Sequence, residues 1–307
     1  MRTRPRRRAS TTDSYIERVN LAIDFIIAHI DQPLRLKTIS KAAHLSPCHF
    51  HRVFQVVTGE TIADFVRRHR LERALSMMSH TRPRSLTSIA LSCGFASSAE
   101  FSRSFKRQYG TSPRAFNLTQ WCASRQAALD QTVEAWARQL HIRSLPPRTN
   151  PDGFRVHIRD LKPRTVAYIR VRNPYRGDGV VRACNRLIAW SKLNGFHANQ
   201  WLGYQWENPE LTDLANCQYN VAVEADTFTP RGEVGRQRFP AMTVAQVEIK
   251  GGLDLELRAL RWLYGSWLPR SGFVPADQPG FEAWIGQPFA HGAEHFELHI
   301  QLPIKRM

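Results

Sequence analysis

Between residues 14 and 116 the apolar positions recur every three or four residues, the spacing that lines up side chains on one face of an α-helix. Ile16, Val19, Ile23, Ile26, Ile27 and Ile30 predict a first helix that ends before Pro33 and opens at a Ser14/Glu17 capping box. Phe50, Val53, Phe54 and Val57 form a second stripe, and Gly59 follows where a left-handed C-cap is favourable. The stripe then recurs. Phe101, Ser104, Phe105 and Gln108 are expected to point inward before Gly110, so F-x-R-x-F-x4-G appears twice, 51 residues apart. The opposite face carries an arginine at the same place in both copies, Arg52 and Arg103.

Each copy follows a short apolar helix and a tight turn. Ile39, Ala42 and Ala43 lead to a turn at His44-Leu45 and a capping Ser46; Ile89, Ala90 and Cys93 lead to a turn at Gly94-Phe95 and capping serines Ser97 and Ser98. Helix, short turn, helix is the helix-turn-helix signature. The first helices align at an offset of 50 and the second at 51, so the second turn has one extra residue. A helix over about Ile62–Met78, with Phe65, Ala74, Leu75 and Met78 on its apolar side, joins the two units. One more amphipathic helix is expected from Gln120 to His141, carrying Ala127, Ala128, Val133, Trp136, Ala137 and Leu140, followed by the Pro- and Gly-rich SLPPRTNPDG.

From residue 154 the period changes to the alternation of strands, interrupted by helical stretches. Val156 and Ile158, then TVAYIRV from Thr165, WLGYQW and QYNVAVEA read as strands around a helix over about Gly179–Leu193. TVAQVEI from Thr243, a helix over about Leu253–Leu268, and strands near Phe281–Ile285 and His295–Gln301 repeat that order. The two TVA segments lie 78 residues apart and the two Gly-Phe pairs, Gly195-Phe196 and Gly272-Phe273, lie 77 apart. A duplicated strand-helix-strand-strand unit is the expectation.

Two helix-turn-helix units joined by a helix resemble the DNA-binding domain of the AraC/XylS family of transcription regulators, and IALSCGFASSAEFSRSFKRQYGTSPRAF carries most of that likeness. His44 departs from it, standing where the first turn commonly has Gly. The C-terminal part, with YIRVRNPY, WLPRSGF, FEAW and the terminal HIQLPI, is similar to the GyrI-like effector-binding domain. The expected fold is therefore multi-domain: a basic tail at 1–12, an all-α double helix-turn-helix domain at 13–118, a helix and Pro-rich linker at 119–153, and an α+β GyrI-like domain at 154–307. The resemblance implies double-stranded DNA at promoter sites as partner, with RNA polymerase beyond it, and a small-molecule effector in the C-terminal domain.

Charge agrees with a polyanionic partner. Residues 1–122 hold 20 Lys and Arg against 8 Asp and Glu, an excess of 12, while the remainder has 23 against 18, an excess of 5. No run of about 18 apolar residues is present and the arginine-rich N-terminus has no apolar segment after it, which argues against a membrane span or a secretory signal. Five cysteines without C-x-x-C pairs predict a reducing, cytoplasmic setting with no disulfide or structural metal, and no cofactor motif stands out.

Base contact is expected from the outward face near each recognition-helix N-terminus: Cys48, His51 and Arg52 in the first unit, Ser98, Ala99, Ser102 and Arg103 in the second. Gln55, Lys106 and Arg107 lie further along and suit phosphate. The competing role for Arg52 and Arg103 is to brace the domain through a carboxylate; for Arg2, Arg4, Arg6, Arg7 and Arg8 it is a plain basic tail rather than a groove-tracking arm. In the C-terminal domain Glu282 matches the acidic position of the family's E-x-aromatic motif, which in relatives that bind lipophilic cations faces an aromatic-lined cavity, and Trp284 replaces the common Tyr. Tyr168, Tyr175, Tyr204 and Trp206, with Glu207, are further ligand candidates. Glu282 with Glu207 could form an acid/base pair of a hydrolase, yet no nucleophile elbow, catalytic triad order or H-E-x-x-H motif accompanies them, so no catalytic residue is assigned. A C-terminal domain that binds a protein partner is the other alternative.

Overall fold

The computed structural model of the chain describes residues 11–80, 84–136, 149–292 and 295–306. The arginine-rich tail and the expected helical positions Ala137 and Leu140 lie outside the described residues. Two compact units are present, and they are taken separately.

The helical unit is built from α1 (Thr11–Ala28), α2 (Leu36–Ala42), α3 (Pro47–Thr58), the first part of α4 (Ile62–His80), α5 (Leu86–Ser92) and α6 (Ser98–Tyr109). The two helix-turn-helix units are α2-α3 and α5-α6. Their helices start 50 and 51 residues apart, as the repeat requires, because the link between α5 and α6 is one residue longer. Phe50, Phe54, Phe101 and Phe105 are fully buried, and truncating any of them to Ala would cost about 3 to 5 kcal/mol. Gly59 and Gly110 close α3 and α6 in the left-handed conformation, at φ 80° and 78°.

Several local expectations are corrected. Ser14 lies inside α1 rather than at its start. Ser46 holds the N-cap position of α3, ahead of Pro47, but its side chain accepts no bond from the helix. Ser97 alone caps α6: its hydroxyl accepts from the Glu100 amide, while the Glu100 carboxylate accepts from the Ala96 amide. Gln108 faces solvent, since α6 turns its buried side through Phe101 and Phe105 only.

The two turns use positive φ differently. His44 adopts φ 53° at an exposed position, and Arg18 donates to its carbonyl oxygen. Gly94, at φ 84°, has no such freedom. A β-carbon there would lie 2.5 Å from the Ile30 carbonyl oxygen and 3.0 Å from the Arg70 guanidinium. Arg70, from α4, donates to the Ile30 and Gln32 carbonyls at 3.0 and 2.6 Å, satisfying the chain just past the end of α1. Two residues earlier in the same helix, buried Arg68 pairs with Glu60 at 2.6 Å and Glu72 at 3.2 Å. Thus α4 holds the end of α1 and the second turn against one another.

The C-terminal unit adds α7 (Leu118–Trp136), β1 (His157–Leu161), β2 (Arg164–Arg172), α8 (Gly179–Asn194), β3 (Trp201–Gln205), β4 (Gln218–Glu224), β5 (Val234–Phe239), β6 (Met242–Gly251), α9 (Leu253–Trp262), β7 (Phe273–Pro275), β8 (Gly280–Trp284) and β9 (Phe296–Arg306). The strands form one sheet in the order β1-β6-β9-β8-β3-β4-β2-β5, with β7 on β9. The duplication is visible in that order. β6-β9-β8 mirrors β2-β4-β3, the two halves meet where β3 pairs with β8, and each leading strand crosses over: β1 pairs with β6, and β5 lies beside β2. Helix α9 continues into a π-helical turn, Leu263–Trp267, and a short 3-10 turn, Leu268–Arg270. Short β5 and β7 escape the sequence pattern, and β1 is an edge strand whose Ile158 is 45% exposed rather than alternating into a core.

The different demands on the two turns give a stability test. Gly94→Ala combines left-handed strain with a clash against backbone and is expected to cost about 2 to 4 kcal/mol. His44→Gly, at an open position, should change stability by less than about 1 kcal/mol. Urea unfolding followed by circular dichroism at 222 nm checks both, and equal effects would contradict the packing described for Gly94.

Candidate functional site

The outward face of α3 presents Cys48, His51, Arg52 and Gln55, all exposed, and α6 presents Ala99, Arg103, Lys106 and Arg107 exposed with Ser98 and Ser102 half-buried. Packing dictates this arrangement: once the phenylalanines are inside, residues one helical half-turn away must be outside. Among the described residues neither Arg52 nor Arg103 meets a carboxylate. Arg52 donates only to Cys48 Sγ, at 3.5 Å. Bracing through an acid is therefore not what occupies these arginines. Arg107 stands closer to charge, near enough to Asp64 to help hold that carboxyl below its ordinary range, after the Thr61 and Arg67 hydrogen bonds.

In the C-terminal unit a cavity of about 350 Å³ opens on the helix-bearing side of the sheet, within the usual size of small-molecule sites. Its walls come from β3, β4, β8, β9, the start of α8, and α9 with its π-helical turn. The register fixes which side chains reach it. Gly203 pairs with Glu282 across β3 and β8, and with Val221 across β3 and β4, so Glu282, Val221 and Tyr219 share one face. A β-carbon on Gly203 would come 1.8 Å from Tyr219 Oη and 2.7 Å from Glu282 Oε2. The bare backbone at Gly203 is the space these two groups occupy.

Tyr219 donates its hydroxyl to Glu282 Oε2. Burial, with Glu282 next to it, holds the Tyr219 phenol well above its usual range, so it stays a donor. Glu256, from α9 and 5% exposed, hydrogen-bonds Glu282 from the other side. Two carboxyls in one apolar pocket cannot both ionise cheaply. Desolvation raises Glu282 to about 7 against the hydrogen bonds from Tyr219 and Glu256 that lower it, and desolvation plus the Glu282 charge pushes Glu256 well above the carboxylate range. The pair holds a proton near neutrality.

Sequence candidates fall on both sides of this site. Trp284 lines the cavity, with its ring against Phe289 at 5.0 Å and Phe296 at 5.5 Å. Tyr175 and Trp206 also line it, Tyr175 donating to Gln205 Oε1 at 3.3 Å. Tyr168 does not reach the cavity. It is fully buried on the opposite face of the sheet, packed with Tyr204, Phe239 and Phe281. Tyr204 borders the cavity, but its ring stacks into that same cluster, 5.1 Å from Phe239 and 5.9 Å from Phe281. Glu207 accepts from the Gln218 amide at 3.3 Å; the carboxyl paired with Glu282 is Glu256 instead. Neither Glu256 nor Tyr219 stood out in sequence, because only the fold brings a helix and a neighbouring strand onto Glu282. Among the described lining residues the ionisable groups are acids and phenols, with no Lys, Arg or His. Among the described residues, too, no group of His, Cys, Asp and Glu is placed to hold a metal, and no helix is long and apolar enough to cross a membrane.

The two units thus define a helix-turn-helix protein with an α+β C-terminal unit that carries a cavity. Residues 39–118 match the model of a helix-turn-helix domain and residues 154–305 that of a GyrI-like small molecule binding domain. The chain is 36% identical over 91 residues to the regulatory protein SoxS of Escherichia coli (strain K12), covering 30% of this chain and 84% of that protein. It is 35% identical over 97 residues to the right origin-binding protein of the same organism, covering 31% of this chain and 33% of that protein. The crystal structure of the EcmrR C-terminal domain is similar over 50% of this chain and 99% of that one, at 18% identity and a TM-score of 0.40. The chain belongs to the AraC/XylS family: it is a DNA-binding transcription regulator with a C-terminal GyrI-like domain.

The raised Glu282 and Glu256 carboxyls set the sign of a pH test. A carboxyl whose folded pKa lies above its unfolded value favours the folded state fully below the unfolded pKa, and that contribution is lost as pH rises through the folded value. Stability of the C-terminal unit should therefore fall as pH rises from about 4.5 through about 7 as Glu282 ionises, and Glu256, held higher still, extends the fall beyond that. All eight tryptophans lie beyond residue 120, so their fluorescence in urea reports on this unit. Glu282→Gln, which mimics the protonated form, should flatten the fall; an unchanged slope would contradict the shared-proton geometry.

Proposed function

We propose that one chain reads an asymmetric promoter site with two unlike recognition helices, and that its cavity binds a small lipophilic or aromatic cation that regulates this reading. The observation that carries the second part is the cavity itself: a paired carboxyl between aromatic walls, with no basic side chain among the described lining residues. A delocalised cation gains from both the charge and the ring faces there. For the DNA-reading part, support comes from α3 and α6, which present Arg52 and Arg103 at matching places with different neighbours around them, and a shared scaffold with two different reading faces suits a site without two-fold symmetry.

Arg52→Ala and Arg103→Ala should each weaken specific promoter binding by about 1 to 3 kcal/mol and relax the preference at one base pair. Lys106→Ala should instead weaken all sequences alike and lower the slope of log affinity against log salt by about 1. Fluorescence anisotropy on the cognate and on scrambled duplexes separates the two behaviours, and unchanged preference in both arginine variants would remove the base-reading assignment.

For the cavity, tetraphenylphosphonium should bind the full chain more tightly as pH rises from about 4.5 to about 7, because the cation competes with the proton held at Glu282. Glu282→Gln should bind weakly and without that pH dependence. Isothermal titration calorimetry reads both, and binding indifferent to Glu282 would overturn the cation reading. Turnover of an added substrate that is lost in Glu282→Gln would replace regulation by binding with hydrolysis.

A further inference from the structure

Apart from its first residue, helix α7 belongs to neither matched domain: it runs from Leu118 to Trp136, and the matches cover residues 39–118 and 154–305. The structure nevertheless joins it tightly to the C-terminal unit. Trp121 Nε1 donates to the Leu211 carbonyl at 2.9 Å, with the Arg125 guanidinium 4.6 Å above its ring. Arg125 pairs with Asp213 at 3.5 Å, and Asp130 pairs with Arg261 of α9, which also faces Glu210 at 3.8 Å. Leu129, 1% exposed, packs among Tyr175, Leu214, Leu253 and Leu257. Leu129 and Thr132 both line the cavity that holds Glu282.

We infer that the effector site is completed by α7, with Leu129 as an apolar wall and Thr132 at its rim, so that the GyrI-like domain alone lacks part of its own binding surface. This rests on the cation reading of the cavity for its ligand, but not for the docking of the helix. The physical consequence is direct. Only eight residues separate the end of α6 at Tyr109 from the start of α7 at Leu118, so a ligand that presses on or steadies Leu129 acts on the segment leading straight from the second recognition helix. Any such effect is reciprocal: DNA that favours one placement of α7 changes the affinity for the ligand by the same factor.

The test uses the full chain and tetraphenylphosphonium. Thr132→Lys places a positive charge at the rim and should weaken binding about tenfold, an effect that shrinks in high salt. Leu129→Ala, which removes apolar wall without adding charge, should weaken it about threefold to tenfold. Ala127→Lys, on the exposed side of α7, should bind like wild type. Hydrogen exchange over residues 118–136 should be slow in the free chain and slower with the probe. If wild type binds the probe and Thr132→Lys and Leu129→Ala bind as tightly, α7 is no wall and the inference falls while the cation reading stands. If wild type binds no probe, the cation reading falls, and the inference is then decided by exchange alone: α7 amides exchanging as fast as those of an undocked helix overturn it, and protected ones that loosen in Arg261→Ala support it.

Discussion

The helical half depends on the approach of Gly94 to the Ile30 carbonyl, because that contact lets the second helix-turn-helix unit sit down on the end of the first helix. Arg70 of α4 fills the remaining polar need by donating to Ile30 and Gln32. Any side chain at position 94 would have to displace backbone, which is far stiffer than a neighbouring side chain. With this junction closed, α4, whose Phe65, Leu71, Ala74 and Leu75 are fully buried, is held in the core between the two helix-turn-helix units. Their relative placement is then a property of the core, not of a loop. The first turn carries no such burden, and this is why His44 can stand there despite its positive φ.

The C-terminal half uses the same device for the opposite purpose. At Gly203 the missing side chain makes room for polar groups, Tyr219 and Glu282, on a sheet face that is otherwise apolar. Burying two carboxyls side by side costs stability at neutral pH, since at least one desolvated charge or a trapped proton must be maintained. A structure selected only for stability would place an apolar pair there. What the arrangement provides is a negative site of low dielectric between aromatic rings, where an organic cation interacts more strongly than it would in water. The duplicated sheet supplies the platform: β3 and β8 meet along the pseudo-symmetry line, and Glu282 sits on it, reached by α9 from the second repeat and by Tyr219 from the first.

Much of this was legible in the residues. The repeat at Phe50 and Phe101, the offset of 50 and 51, the paired Arg52 and Arg103, and the change to strand period at residue 154 all rest on local geometry, in which spacing alone sets the face a side chain takes. Glu282 and Trp284 were legible because they fall in a short motif on one strand. The misplacements are equally instructive. Tyr168 and Tyr204 carry the right chemistry but point to the wrong side of the sheet, and period 2 tells which residues share a face without saying which face meets the cavity. Glu256 was hidden in an acidic first turn that reads as ordinary helix capping.

The sequence by itself therefore determined most of the elements, all but the short β5 and β7, their duplication in both halves, and most of the residues that oppose the core, because these follow from helix and strand periodicity within a few residues. Tertiary structure alone decided that Glu256 rather than Glu207 partners Glu282, that Gly94 and not His44 is sterically indispensable, and that α7 leans Leu129 into the cavity. Each of these joins positions tens of residues apart, or more, and their proximity depends on how helices and sheet pack around one another. No local period encodes that.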